Sequence, residues 1–157
     1  MNFSKKFLLL ITLVFIASVG IVAAEDVTVD PYTFTIPDDY TIATSDDTTV
    51  AMQKDEFNAI SFATGVSDDI EGAKQNFISQ GKTLIDEQEL NYNDMDITLQ
   101  AFSTDVDGTT LYVYNYIMLA EQGNFVVTVT TDDADFDSDL NSDDNPAKVI
   151  FDTIQAS

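Results

Sequence analysis

Apolar and polar residues alternate with a period of two along much of the chain, and this pattern predicts a sheet-rich protein. The stretch DVTVDPYTFTIPDDY places Tyr32, Phe34 and Ile36 on one face of a strand that ends at Pro37. Two more strands are predicted in TTVAMQK and FNAISFATGV, which a short polar segment separates. Three strands therefore open the predicted fold.

Two segments have the period of a helix instead. In DDIEGAKQNFISQG, Asp68 and Glu71 resemble a capping box, and Gly81 suits the position just past the helix end. The apolar positions of this first helix are Ile70, Ala73 and Phe77. In NPAKVIFDTI, Asn145 can cap a second helix and Pro146 fits its first turn. The apolar stripe of this second helix is Ala147, Ile150, Phe151 and Ile154.

Four further strands are predicted between the two helices. They lie in TLIDEQEL, DITLQAFSTDV, TTLYVYNYIMLAE and FVVTVTTD, and glycine-containing turns join the last three into an antiparallel meander. The segment Leu111 to Leu119 carries large side chains on both faces, so both faces of the sheet should be covered. The expected fold is α+β: an antiparallel sheet of about six or seven strands flanked by two helices, in the order β-β-β-α-β-β-β-β-α, with a helix on each face.

The first residues of the chain predict export. Two lysines precede an uncharged run over residues 7–24, which is the layout of a secretory signal peptide, and small residues favour a cut between Ala24 and Glu25. The alternative is an uncleaved membrane anchor, because eighteen apolar residues are about enough to span a bilayer. Either way we expect residues 25–157 to form a single acidic domain in a secreted or extracytoplasmic location.

The composition excludes several classes of function. Beyond the signal segment the chain has four lysines against 28 acids, a net charge of −24, and the whole chain lacks cysteine, histidine, tryptophan and arginine. This charge argues strongly against nucleic acid as a partner, and anionic membrane surfaces would repel the protein. Without cysteine or histidine there is no disulfide, no thiolate zinc site and no serine–histidine catalysis.

A run of aspartates in TDDADFDSDLNSDD predicts either a cation site or a solvated connection. Four of them alternate and could ligate calcium weakly: Asp133, Asp135, Asp137 and Asp139. The spacing does not match the known calcium loop, since a frame from Asp133 puts Ser138 where glycine is required. The favoured alternative is a solvated loop in which Phe136 and Leu140 pack onto the domain while the aspartates face water.

A row of tyrosines predicts either a binding platform or a covered sheet. Tyr112, Tyr114 and Tyr116 alternate along one strand, and if exposed they could bind a sugar or a peptide. Packing beneath a covering layer is the favoured alternative. Asn115, on the opposite face, marks either an irregularity or a buried hydrogen bond.

The element order, with YTFTIPDDY entering the sheet and AKVIFDTI as a final sheet-packing helix, resembles the PsbP-like superfamily. Its members include an extrinsic photosystem subunit, a Ran-binding nuclear import factor and many secreted bacterial proteins. The resemblance implies a compact sheet with packed helices and a binding or accessory role. No residue here matches a functional motif of that superfamily.

We therefore expect a secreted, monomeric, non-catalytic binding or accessory domain that needs no cofactor and whose partner is a protein or a glycan. One alternative is an acidic cell-surface or structural protein that binds divalent cations weakly in the loop 132–144. A further alternative is a carboxylate-based hydrolase, which needs two carboxyls at a defined separation, one of them with a raised pKa.

Overall fold

A computed structural model describes residues 25–157 and confirms the expected α+β class. The predicted signal peptide, residues 1–24, lies outside the described residues. Within the described part, no helix has the length and apolarity required to cross a membrane. The helices are α1 (Ile70–Ser79) and α2 (Ala147–Thr153). The strands are β1 (Asp26–Val29), β2 (Tyr32–Thr35), β3 (Thr41–Ser45), β4 (Thr49–Gln53), β5 (Ala59–Thr64), β6 (Thr83–Tyr92), β7 (Met95–Val106), β8 (Thr109–Met118), β9 (Phe125–Thr131) and β10 (Gln155–Ala156).

Seven of these strands form one antiparallel sheet in the order β3-β4-β5-β9-β8-β7-β6. The predicted meander is confirmed, because β7, β8 and β9 are consecutive neighbours. The β7–β8 turn uses Asp107 and Gly108 at φ angles of 53° and 87°. Two successive positive φ angles match the right-handed twist of the flanking strands, which fixes the register of this hairpin.

The first predicted strand is instead a hairpin, and it belongs to a second sheet. The chain reverses at Asp30 and Pro31, so that β1 pairs with β2 and Val27 lies opposite Phe34. β10 pairs with the other side of β2 to complete a three-stranded sheet. Pro31 has no N–H for a strand ladder, which is why the chain turns there. Strand β3 was not predicted because its one large apolar residue, Ile42, is exposed.

Both predicted helices are present. Asp69 caps α1 by accepting a hydrogen bond from the backbone N–H of Gly72 at 2.9 Å, one residue after the predicted cap at Asp68. Gly81, at a φ of 94°, follows the end of α1 as expected. At α2, Pro146 is the N-cap residue and has no side-chain cap bond, while Asn145, one residue before it, accepts the backbone N–H of Ala147 on Oδ1 at 3.0 Å.

The two helices lie on opposite faces of the seven-stranded sheet. On one face, α2 and the three-stranded sheet cover the main core, and Phe151 of α2 contacts the rings of Tyr116 and Phe125. On the other face, α1 places Phe77 5.0 Å from Phe102, measured between ring centroids. The expected helix on each face is confirmed, and the side beneath α1 holds the cleft described below.

Candidate functional site

The predicted tyrosine row lies inside the protein. Tyr116 is 0% exposed; its hydroxyl donates to Ser138 O at 2.8 Å and accepts from Asn145 Nδ2 at 3.0 Å. Tyr114 is buried against Phe136, and Tyr112 is half-buried. Burial raises the pKa of the Tyr116 hydroxyl above its usual range. The platform interpretation is wrong for Tyr114 and Tyr116, and the covered-sheet alternative holds.

The four alternating aspartates are exposed, and the side chains of three of them accept hydrogen bonds within local turns. Asp133 accepts the backbone N–H of Asp135 at 2.9 Å, and Asp137 accepts that of Asp139 at 3.1 Å. Asp139 in turn accepts the backbone and side-chain N–H groups of Asn141, which lowers the pKa of the Asp139 carboxyl. A carboxylate that accepts a hydrogen bond from the backbone N–H two residues further along the chain stabilises a turn at that point.

The loop has the features expected of a solvated connection, and the calcium site stays a prediction. Within residues 25–157, no group of three or more acidic side chains converges on a point that could hold a metal ion. Leu140 is 2% exposed and Phe136 packs against the core, so both apolar side chains anchor the loop as expected. The aspartates between them face water.

We expect calcium to stabilise the protein no more than magnesium does at matched ionic strength, because neither ion has a converged set of ligands. Both should act like sodium chloride, by screening repulsion among the acids. A specific site at a hundred times its dissociation constant would add about 2.7 kcal/mol. Thermal melts in the three salts, with the double variant Asp135→Asn and Asp137→Asn as control, measure the difference. A calcium-specific rise that the double variant abolishes would contradict the expectation.

A cleft between α1 and the sheet is the best candidate for a binding site. Helix α1 lies over strands β7, β8 and β9 and leaves a space of about 220 Å³ beneath it. The apolar walls are formed by Val66, Ile70, Ala73, Phe77, Ile117 and Val126. The polar groups that line it belong to Ser67, Gln100, Asn115 and Thr128. An apolar pocket with a few converging polar groups is the usual form of a small-molecule site.

The polar residues of the floor stand in one row across the sheet. Register pairs Thr128 with Asn115, Asn115 with Gln100, and Gln100 with Glu87, on strands β9, β8, β7 and β6. Asn115 is 4% exposed and Gln100 is 1% exposed. Thr128 Oγ1 donates to Asn115 Oδ1 at 2.8 Å, so the expected alternative of a buried hydrogen bond at Asn115 is correct.

No hydrogen bond joins the side-chain amides of Asn115 and Gln100, the two middle residues of the row. Gln100 Nε2 donates to Glu87 Oε2 at 2.9 Å, which occupies the nitrogen end of the Gln100 amide. The hydrogen bond from Thr128 occupies the oxygen end of the Asn115 amide. Among the described residues, Asn115 Nδ2 and Gln100 Oε1 have no protein hydrogen-bond partner, and both residues line the cleft. Neither atom is fully enclosed, since Gln53 Oε1 is the one buried side-chain polar atom without a partner among the described residues, so both atoms are open to a partner within the cleft.

Lys74 links helix α1 to the sheet through two carboxylates. Its Nζ lies 2.8 Å from a Glu71 carboxylate oxygen and 3.0 Å from a Glu87 carboxylate oxygen. Hydrogen bonds to Glu71 and then to Glu87 raise the pKa of Lys74, and the same contact lowers the pKa of Glu71. The lysine therefore joins α1 to β6 and has its charge matched by both carboxylates.

The site residues were not predicted from the sequence. Asn115 is a polar residue within an otherwise apolar strand pattern, which is a signal in the sequence. Gln100 stands at a polar position of the ordinary period-two alternation, so no local signal distinguishes it. Only the pairing of β7 with β8 brings the two amides together.

Neither a protein-family model nor a curated protein matches the chain. Among solved structures, a protein from Bacteroides thetaiotaomicron is similar in fold, with a TM-score of 0.56, 11% sequence identity and coverage of 87% of this chain and 49% of that one. The chain thus spans about half the length of that protein. PA94 from Pseudomonas aeruginosa, a protein of unknown function, gives a TM-score of 0.42, 12% identity and coverage of 70% and 83%. The first likeness shows the α+β fold alone, and the PsbP-like resemblance stays a prediction.

Proposed function

We propose that residues 25–157 form an extracytoplasmic, non-catalytic binding domain whose ligand occupies the cleft beneath α1. The observation that carries this proposal is the combination of apolar walls with two buried amides that each keep one polar atom free for a partner. The extracytoplasmic location rests on the signal-like sequence of residues 1–24. An accessory role also agrees with the resemblance to the PsbP-like superfamily.

The volume of the cleft supports a small ligand in preference to a protein partner or a glycan. An engineered apolar cavity of about 150 Å³ binds benzene, and the space beneath α1 is larger at about 220 Å³. A glycan would need the exposed aromatic platform that the tyrosine row does not provide. The ligand therefore has the size of a small organic molecule.

The pKa shifts of the carboxyl groups favour a binding domain over a hydrolase. A carboxyl that acts as a general acid needs a raised pKa, which an apolar pocket provides. The shifts at Asp46, Glu71, Asp139 and Asp152 all lower the pKa of the carboxyl. Glu87, at the end of the polar row, accepts hydrogen bonds from Lys74 and Gln100.

Filling the cleft is expected to abolish binding of an apolar probe. Benzene should shift the backbone amide NMR signals of residues around the cleft in a saturable way. Ala73→Leu adds bulk to the cleft wall and should weaken that binding at least about tenfold, because overpacking removes the space. The matched control is Ala134→Leu, which makes the same change at an exposed position.

Val66→Phe is a second variant that fills the cleft, from a different lining residue. It keeps the test informative if Ala73→Leu does not fold. Thermal melts identify which variants stay folded. The proposed function fails if benzene shifts no cleft residue in the unaltered protein, or if the folded filling variants bind benzene as the Ala134→Leu control does.

A further inference from the structure

We propose that the ligand of the cleft is a neutral, mainly apolar small molecule with one hydroxyl or carboxamide group that bridges Asn115 and Gln100. This inference rests on the proposed function, since it assigns a ligand class to the same cleft. The bridging group accepts a hydrogen bond from Asn115 Nδ2 and donates one to Gln100 Oε1. Both residues are more than nine-tenths buried and line the cleft.

The orientation of both amides follows from their protein partners. Gln100 donates from its NH₂ group to Glu87 Oε2, which leaves its side-chain oxygen on the other side. Thr128 donates to Asn115 Oδ1, which leaves the NH₂ group of Asn115 for a partner. One amide therefore offers a donor and the other an acceptor.

A ligand hydroxyl would complete a continuous chain of hydrogen bonds. Thr128 donates to Asn115, Asn115 would donate to the ligand, and the ligand would donate to Gln100, which donates to Glu87. Lys74 donates to the same carboxylate at 3.0 Å. Every bond in this chain points toward Glu87, so the bonds polarise one another in the same sense. Register places Asn115 directly opposite Gln100, with their Cβ atoms about 4.5–5.5 Å apart, which brackets one such group.

The rest of the ligand must be apolar and uncharged. Ile70, Phe77 and Ile117 belong to the apolar wall above the amides. Among the described residues, neither Lys74 nor Lys82 lines the cleft, although Lys82 Nζ lies 5.0 Å from the centroid of the Phe77 ring. A carboxylate or phosphate ligand would therefore meet no cation among the lining residues and would face the negative field of the whole domain. A neutral ligand is favoured over an anion.

Two isomeric probes test the bridging group. Hexanol donates and accepts, whereas methyl pentyl ether has the same formula but only accepts. NMR titration of the full chain should give hexanol a dissociation constant about five- to tenfold lower than that of the ether, which corresponds to one buried hydrogen bond. Hexanamide should bind like hexanol, and hexanoate should bind more weakly than either.

Variants of similar side-chain size test whether the preference for hexanol over the ether depends on the two amides. Gln100→Met and Asn115→Leu keep the side-chain size, and each should remove the preference for hexanol over the ether. Gln88→Met on the exposed side of β6 is the matched control and should keep the preference. In the unaltered protein, binding should move the side-chain NH₂ signal of Asn115.

Each other outcome overturns the inference in a distinguishable way. If benzene and the ether bind as tightly as hexanol, the cleft is a binding site but water satisfies the amides, and only this inference fails. If hexanoate binds more tightly than hexanol, the ligand class is anionic and the inference is wrong. If no probe binds, or if cleft signals change only with protein concentration because a second copy fills the space, the proposed function fails with it.

Discussion

Replacing Phe62 with alanine is expected to destabilise the protein by about 3–5 kcal/mol. The side chain is 0% exposed on strand β5 and packs against three rings at centroid distances of 4.6–6.0 Å. Those rings belong to Tyr32, Phe34 and Phe125. Tyr32 and Phe34 belong to the three-stranded sheet, so the variant leaves a cavity between the two sheets. Backbone movement can close such a cavity only in part. Urea unfolding followed by circular dichroism measures the loss.

Phe57→Ala is the matched control, because it removes the same atoms from a half-exposed position in the β4–β5 turn. We expect it to cost about 1 kcal/mol or less. A similar loss of unfolding free energy in both variants would contradict the packing of the three-stranded sheet over β5.

The second large effect is expected at Asn145, where alanine should cost about 2–3 kcal/mol. This side chain is 1% exposed and serves three partners. Its Nδ2 donates to Tyr116 Oη at 3.0 Å and to Asp139 O at 3.3 Å, and its Oδ1 accepts from Ala147 N at 3.0 Å. Removing it uncaps α2 and leaves buried polar groups without a partner.

Asn141→Ala, at an exposed position in the same loop, is the control and should change stability by no more than about 0.5 kcal/mol. A double-mutant cycle with Tyr116→Phe isolates the Asn145–Tyr116 bond, and we expect a coupling energy of about 1 kcal/mol. Equal losses in Asn145→Ala and Asn141→Ala would contradict the buried network and the anchoring of the acidic loop through it.

This network explains the placement of the acidic segment. Tyr116 Oη donates to Ser138 O, so a residue of the predicted tyrosine row holds the middle of the acidic loop against the core. The two features that the sequence suggested as separate sites are thus parts of one packing arrangement. Both lie on the face of the sheet opposite the cleft beneath α1.

Local patterns were sufficient wherever an element depends on its own neighbours in the chain. The period-two pattern predicted β4, β5 and the meander of β7 to β9, since alternate residues face opposite sides of a strand whatever lies above them. The helical spacing and caps predicted α1 and α2, because a cap satisfies backbone groups only a few residues away. The pattern of large side chains on both faces of β8 predicted a covered sheet.

The sequence by itself therefore determined the class of fold and the position of the helices, which follow from local periodicity, and it favoured a covered tyrosine row without deciding it. Only the tertiary structure decided that β1 and β2 form a separate sheet over β5 and that α1 leaves a cleft above β7, β8 and β9. It also brought Asn115 and Gln100 side by side. These features depend on pairing between residues distant in the chain, and register is set by the whole hydrophobic pattern and not by either residue alone.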